Sequence, residues 1–140
     1  MSDNYFLDTN IFVYTFSRTE SEKRNKATDM ISRALSSETG MISTQVVQEF
    51  INVASREFTK PLNENDCKKY INTVLSPLCE VFPDMDLYFQ AIDIQSATGY
   101  GFYDSLIICA ALKGNCGVLY TEDMQHEQKV LDLKIVNPFI

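Results

Sequence analysis

Four acidic residues carry the chemistry available to this chain: Asp8, Glu49, Asp104 and Asp123. Asp8 follows the apolar run Tyr5-Phe6-Leu7, which reads as a short buried strand, and a helix is predicted to begin directly after it. The carboxylate then sits at the carboxyl end of a strand, where open α/β sheets hold their ligands. Asp123 closes Leu119-Tyr120-Thr121-Glu122-Asp123, just past another strand. Asp104 falls in the first turn of a helix predicted from about Tyr103 to Lys113. Glu49 lies about one turn into a helix predicted to start near Thr44. In a parallel sheet the connecting helices run back against the strands, so helix N-termini share an edge with strand C-termini. Chain direction alone therefore brings the four acids to one edge. Carboxylates so placed repel one another unless cations neutralise them. Hard cations such as Mg²⁺ take oxygen ligands and keep several waters. Two of them can activate a water and stabilise the leaving oxygen of a phosphodiester.

Each acid also has a local alternative. Asp8 can cap the helix that follows it, Asp104 can answer a helix dipole, Glu49 can be a solvated helix residue, and Asp123 can be a turn residue. Taken one at a time these readings are the commoner ones. Together they leave unexplained why four such residues fall at one edge.

The elements that must position these acids follow from periodicity and punctuation. Thr19-Glu20-Ser21-Glu22 has the pattern of a capping box. It opens a helix whose apolar face is Ala27, Met30, Ile31, Ala34 and Leu35, with Lys23, Arg24, Lys26 and Arg33 mainly elsewhere on it. Met41-Ile42-Ser43 is a second strand. The helix after it carries a core stripe of Val47, Phe50, Ile51, Ala54 and Phe58. A polar stripe, Gln45, Glu49, Asn52 and Arg56, recurs beside it at helical spacing. Asn52 and Arg56, on the stripe of Glu49, are therefore candidate contacts for the phosphates of a nucleic-acid substrate. Asn63 is expected to cap the next helix and Asp84 a later one, which turns Leu87, Ala91 and Ile94 inward. Leu78 to Phe82, Gly117 to Thr121 and Lys134 to Val136 read as further strands. The segment from Leu106 to Leu112 is apolar all round, the mark of a buried helix. Strands alternate with helices throughout, which predicts one α/β domain over residues 1–140 around a parallel sheet.

Composition narrows the function classes. With 12 basic and 19 acidic residues the net charge is -7, so nucleic acid is not bound by bulk attraction; a local basic patch or bound cations must do it. No long apolar run or basic leader is seen near the start, so neither a membrane span nor a signal peptide is expected and the cytosol is the default location. The four cysteines form no C-x-x-C pair. Cys67, Cys79 and Cys109 read as small buried hydrophobes of a reducing compartment, while Cys116 is ambiguous.

Leu7-Asp8-Thr9-Asn10, Val46-Val47-Gln48-Glu49-Phe50, Tyr103-Asp104-Ser105-Leu106-Ile107 and Thr121-Glu122-Asp123-Met124 together resemble the four motif blocks of the PIN-domain ribonucleases. Within them the resemblance is to the VapC-type toxins of type II toxin–antitoxin pairs, to which the ending Val136-Asn137-Pro138-Phe139 is also similar. It covers nearly the whole chain. It implies a three-layer α/β/α sandwich whose strand order reverses between the strands bearing Asp8 and Asp123. It also implies an endoribonuclease dependent on Mg²⁺ or Mn²⁺. Asp8 and Asp104 would be its principal metal ligands, with Glu49 and Asp123 completing the site and Thr9, Asn10 and Thr121 supporting it. The partners implied are RNA, a cognate antitoxin inserted into a groove, and a second copy in a homodimer. The chain departs from the expected pattern after Met124: many toxins of this type have a glycine near the position of Glu127, where this chain reads Gln125-His126-Glu127-Gln128. His126, the one histidine, is expected to serve the surface or the packing.

Two other functions compete. An Asp-based phosphatase would use Asp8 as phosphoacceptor, but such enzymes carry a second aspartate where Asn10 stands. A non-catalytic RNA- or protein-binding module of the same fold would have no use for four mutually repelling acids.

Overall fold

The computed structural model describes residues 2–58 and 60–140. Its sheet has six strands in the order β3-β2-β1-β4-β6-β5. They are β1 Tyr5–Leu7, β2 Gly40–Ser43, β3 Cys79–Val81, β4 Val118–Tyr120, β5 Lys129–Val130 and β6 Leu133–Val136. All neighbours pair in parallel except β5, a two-residue edge strand antiparallel to β6. β5 is too short for periodicity to reveal it. Strand order reverses at β1, which lies between β2 and β4, and this is where a doubly wound sheet opens a crevice.

The helices are α1 Thr9–Tyr14, α2 Ser21–Ser36, α3 Thr44–Arg56, α4 Glu64–Tyr70, α5 Ser76–Leu78, α6 Met85–Thr98 and α7 Phe102–Lys113. A π-helical turn, Ile71–Leu75, joins α4 to α5. With the sheet between helical layers, this is the three-layer α/β/α sandwich. α7 touches β2, β3, β4 and β6, and α6 packs on α7. Ser105 to Ala111 are all buried, as expected of a helix apolar on every side. α6 ends at Gly99, whose φ of 82° lies in the left-handed region that glycine enters without steric cost. The chain thereby turns into α7, which carries Asp104.

Local differences from the sequence reading have identifiable causes. Asn63 and Asp84 cap their helices as expected, accepting from the amides of Asp66 and Leu87 at 2.8 Å each. The capping box at Thr19 does not form. Glu20 takes the cap position without a side-chain bond, because its own amide donates to the Ser17 hydroxyl and draws Thr19 into the preceding turn. On α3 the fully buried positions are Val46, Phe50 and Ala54, one turn apart; Val47 is half-buried and Ile51 lies exposed on the outside. Gln45 is buried rather than part of a solvated stripe, since its Nε2 donates to the Tyr103 carbonyl and ties the start of α3 to the start of α7. Leu35, expected in the core, is 41% exposed. All four cysteines are free; Cys109 and Cys116 are buried, while Cys67 and Cys79 are half-buried. Among the described residues no helix is long and apolar enough to cross a membrane.

Candidate active site

The last residue of β1 hands the chain to Asp8, whose amide still donates to the Tyr120 carbonyl at 3.0 Å and so extends the pairing with β4 by one step. The same step on the other side, Thr121 N–H to the Val136 carbonyl, fixes Thr121 beside Asp8. Asp8 caps α1: one carboxylate oxygen accepts from the Thr9 amide at 2.7 Å and the other from the Thr121 hydroxyl at 2.8 Å. The cap and the candidate ligand are therefore one residue. The carboxylate is 5% exposed. Burial raises its pKa to about 7, against the two hydrogen bonds that lower it, and the nearby charges of Glu49 and Asp123 add to the rise.

Thr121 is fully buried and acts as a hub. Besides donating to Asp8, its hydroxyl oxygen accepts from Asn10 Nδ2 at 3.3 Å and from the Asp123 amide at 3.1 Å. Asn10 Nδ2 also donates to the Asp123 carboxylate at 3.0 Å, and the Thr9 hydroxyl donates to Glu49 at 2.8 Å. The first two residues of α1 thus reach the acids of α3 and of the loop after β4. Asp104, in the first turn of α7, faces the same cleft. Its pKa is raised, first by burial and then by the charge of Asp123. The four acids named from sequence, with Thr9 and Asn10, all line a single cleft of about 430 Å³.

The cleft has further walls that sequence reasoning missed. Val53 of α3 and Glu57, which caps its end, line it one and two turns beyond Glu49. Asn52 and Arg56 are not among its walls; they follow the neighbouring row of the helix, because spacings of three and four drift apart around the cylinder. A 4-4 spacing from Glu49 would have found Glu57. Tyr14 and Glu122 also line the cleft, joined at 2.7 Å by a hydrogen bond from the tyrosine hydroxyl to the carboxylate. His126 lies elsewhere, its Nδ1 accepting from the Asn137 amide at 2.9 Å, in keeping with a packing role. The loop after Met124 keeps the shape that a glycine would favour: Glu127 has φ 70°, and its amide donates to the Ile135 carbonyl at 2.7 Å.

The residues present fit a hard divalent cation. The donors are oxygens throughout, the carboxyl groups of Asp8 and Asp104 have raised pKa values, first from burial and then from the charge of neighbouring acids, and Asn10 Oδ1 is buried with no partner on the protein. Among the described residues, no three His, Cys, Asp or Glu side chains are gathered closely enough to hold one ion as they stand. A cation such as Mg²⁺ needs only one or two carboxylates, with waters filling its other positions.

Comparison with other proteins agrees with this architecture. A toxin–antitoxin complex from Klebsiella pneumoniae contains a chain superposing with a TM-score of 0.69 at 16% identity, over 96% of this chain and 98% of that one. VapBC2 from Rickettsia felis, solved bound to a DNA fragment from its promoter, gives a TM-score of 0.61 at 19% identity, over 94% and 96%. Identities this low speak for the fold alone. No curated protein sequence is significantly similar to the chain. The PIN domain family model matches residues 5–130, from the first strand through all four acids to β5. On that match and that fold, the chain belongs to the PIN domain family.

Proposed function

We propose that this protein is a VapC-type toxin, a metal-dependent endoribonuclease restrained by a cognate antitoxin. The observation that carries the catalytic part is the buried Asp8. Its two oxygens are fixed by Thr9 and Thr121, and its charge is disfavoured first by burial and then by the acids around it. A fold that needed only a helix cap there would have no reason to keep further carboxylates beside it. The toxin assignment is supported by the two similar structures, both toxin–antitoxin assemblies.

In this reading Asp8 and Asp104 are the principal ligands of Mg²⁺ or Mn²⁺, and Glu49 and Asp123 complete the site. When bound, the cation neutralises the acids, acidifies a water and stabilises charge on the leaving oxygen. Thr121 holds Asp8 and Asn10 in register, and Thr9 holds Glu49, so the ligands are oriented by neighbours that need not move. Cleavage leaves a 5′-phosphate and a 3′-hydroxyl. The route through the RNA 2′-hydroxyl generally takes a positioned base and acid, often histidines, and the one histidine here is bound to the Asn137 amide away from the cleft. Asn52 and Arg56 are proposed to meet RNA outside the cleft, and the active form is proposed to be a homodimer.

The deciding experiment is incubation of purified protein with mixed RNA in Mg²⁺, Mn²⁺ or excess EDTA, with Asp8→Asn as control, followed by end-group analysis. Metal-dependent cleavage with 5′-phosphate ends is expected. A 2′,3′-cyclic phosphate, or full activity in EDTA, would rule the mechanism out.

A further inference from the structure

The cleft is acidic to a degree that poses a problem for its proposed substrate. Six carboxylates line it, those of Asp8, Glu49, Glu57, Asp104, Glu122 and Asp123, with no lysine or arginine among the described lining residues. Cations held by the inner acids can answer the scissile phosphate. The phosphates on either side of it would still meet bare carboxylates.

One cation is tied to the wall. Lys23 of α2 donates to the Tyr14 hydroxyl at 3.2 Å and to both oxygens of Glu122 at 3.3 and 3.4 Å. Among the described residues it is the only lysine or arginine hydrogen-bonded to a side chain of the cleft. Its ammonium also lies 4.9 Å from the centre of the Tyr14 ring and 5.7 Å from that of Phe139, and these two rings meet edge to face at 5.0 Å. The aromatic seat and the tyrosine hydroxyl hold the charge at the rim without consuming it. Contacts to Glu122 are long, and the lysine side chain is 32% exposed, so solvent reaches the pair and weakens it. A phosphate oxygen can therefore replace Glu122 as partner at little cost, while the ring contacts stay in place.

We propose that Lys23 is the phosphate-gripping residue of the cleft, contacting the substrate backbone at a linkage next to the scissile one, with Tyr14 and Glu122 as its positioning residues. This gives Glu122 a role distinct from its neighbour Asp123: it stores the lysine at the rim between substrates. The inference rests on RNA being the substrate, and it selects Lys23 from the cations of α2, since Arg24 donates instead to the Ser17 carbonyl, Arg33 pairs with Asp29, and Lys26 lines a separate cavity beside His126 and Ile140.

The test is fluorescence anisotropy of a short single-stranded RNA over a range of KCl, with Ca²⁺ as the divalent ion and the RNA checked for integrity. Parent, Lys23→Met and Lys23→Arg are compared. Lys23→Met is expected to weaken binding several-fold and to flatten the slope of log affinity against log salt by about 0.7, the loss of one contact to a single strand. Lys23→Arg should restore the slope, which a merely structural tie between α2 and the loop after β4 would not require. An RNA carrying one uncharged methylphosphonate beside the cleavage position should bind the parent less well and Lys23→Met no worse than unmodified RNA. Equal slopes in parent and Lys23→Met, or equal losses on the methylphosphonate at every position, would overturn the proposal. Its failure is separable from that of the enzymatic reading. A parent that cleaves RNA with no dependence of the slope on Lys23 sinks this contact alone. A parent that binds with the Lys23-dependent slope yet never cleaves sinks the catalysis and leaves the contact standing.

Discussion

Asp8 and Asp84 are the same residue in the same local role, and the protein treats them oppositely. Each caps a helix, accepting from the Thr9 amide and the Leu87 amide respectively. Asp84 stands in solvent beside Lys113, 2.9 Å away, and that hydrogen bond, with the capping amide, holds its pKa below the ordinary aspartate value. Asp8 is buried among other acids, and its pKa climbs to about 7. A cap alone lowers a carboxylate's pKa; at Asp8 burial reverses that, and like charge adds to it. The difference marks where the fold tolerates electrostatic cost, and such tolerance is typical of sites that bind cations or do acid–base work.

The strongest way to break this comparison is activity. Asp8→Asn and Asp104→Asn should each lower metal-dependent RNA cleavage by on the order of a hundredfold or more, the scale for losing a main electrostatic group. Asp84→Asn, which keeps a capping oxygen, should leave the rate unchanged. Comparable losses in all three variants would mean that Asp8 matters only as a cap.

Thr121→Val tests whether the hub matters as much as the ligands. It removes the hydroxyl shared by Asp8, Asn10 and the Asp123 amide. Activity should fall about tenfold to a hundredfold, as for an outer-shell partner. Stability should fall by about 1–3 kcal/mol, because buried partners are left unpaired. Urea titration and initial rates check the two halves independently.

Stability against pH sharpens the contrast. With a folded-state pKa near 7 and an ordinary value of 3.8 when unfolded, Asp8 holds an extra proton in the native protein between those limits. Without divalent ions, native stability therefore falls as pH rises through that window, and the full penalty stands above about pH 7. Asp8→Asn removes the titrating group. At pH 8 in EDTA it should be more stable than the parent by about 1–3 kcal/mol, less than the full shift implies because one accepted hydrogen bond is also lost. The gap should narrow toward pH 4 and also close on adding Mg²⁺, which stabilises only the parent's site. Asp84 has the reverse sign. Its contribution is present above the ordinary aspartate value and is lost as pH falls through its lowered folded value, so Asp84→Asn should lower the melting temperature slightly at neutral and alkaline pH, with the difference vanishing in acid.

The smallest expected effect lies in the loop after β4. Glu127→Gly relieves a left-handed φ but loosens the unfolded chain, for a net gain of a few tenths of a kcal/mol up to about 1 kcal/mol. Thermal melts at neutral pH measure it, with activity expected to hold.

The sequence by itself determined the alternation of the five longer strands with helices, the caps at Asn63 and Asp84, the buried α7, and the convergence of four acids on one sheet edge. These are local or directional properties: apolar periodicity, capping side chains, and the rule that helix starts and strand ends share an edge. Only the tertiary structure decided which row of α3 turned inward. Val46 rather than Val47 reached the core of α3, Gln45 was drawn under Tyr103, and Glu57 rather than Arg56 turned to the cleft, because a helix with apolar residues on two adjacent rows can roll until its neighbours fix it. The Thr121 hub, the pairing of Tyr14 and Lys23 with Glu122, and the raised pKa of Asp8 likewise join residues a hundred or so positions apart. No spacing in the sequence encodes such distances; they exist once β4 lies beside β1 and water has been excluded between them.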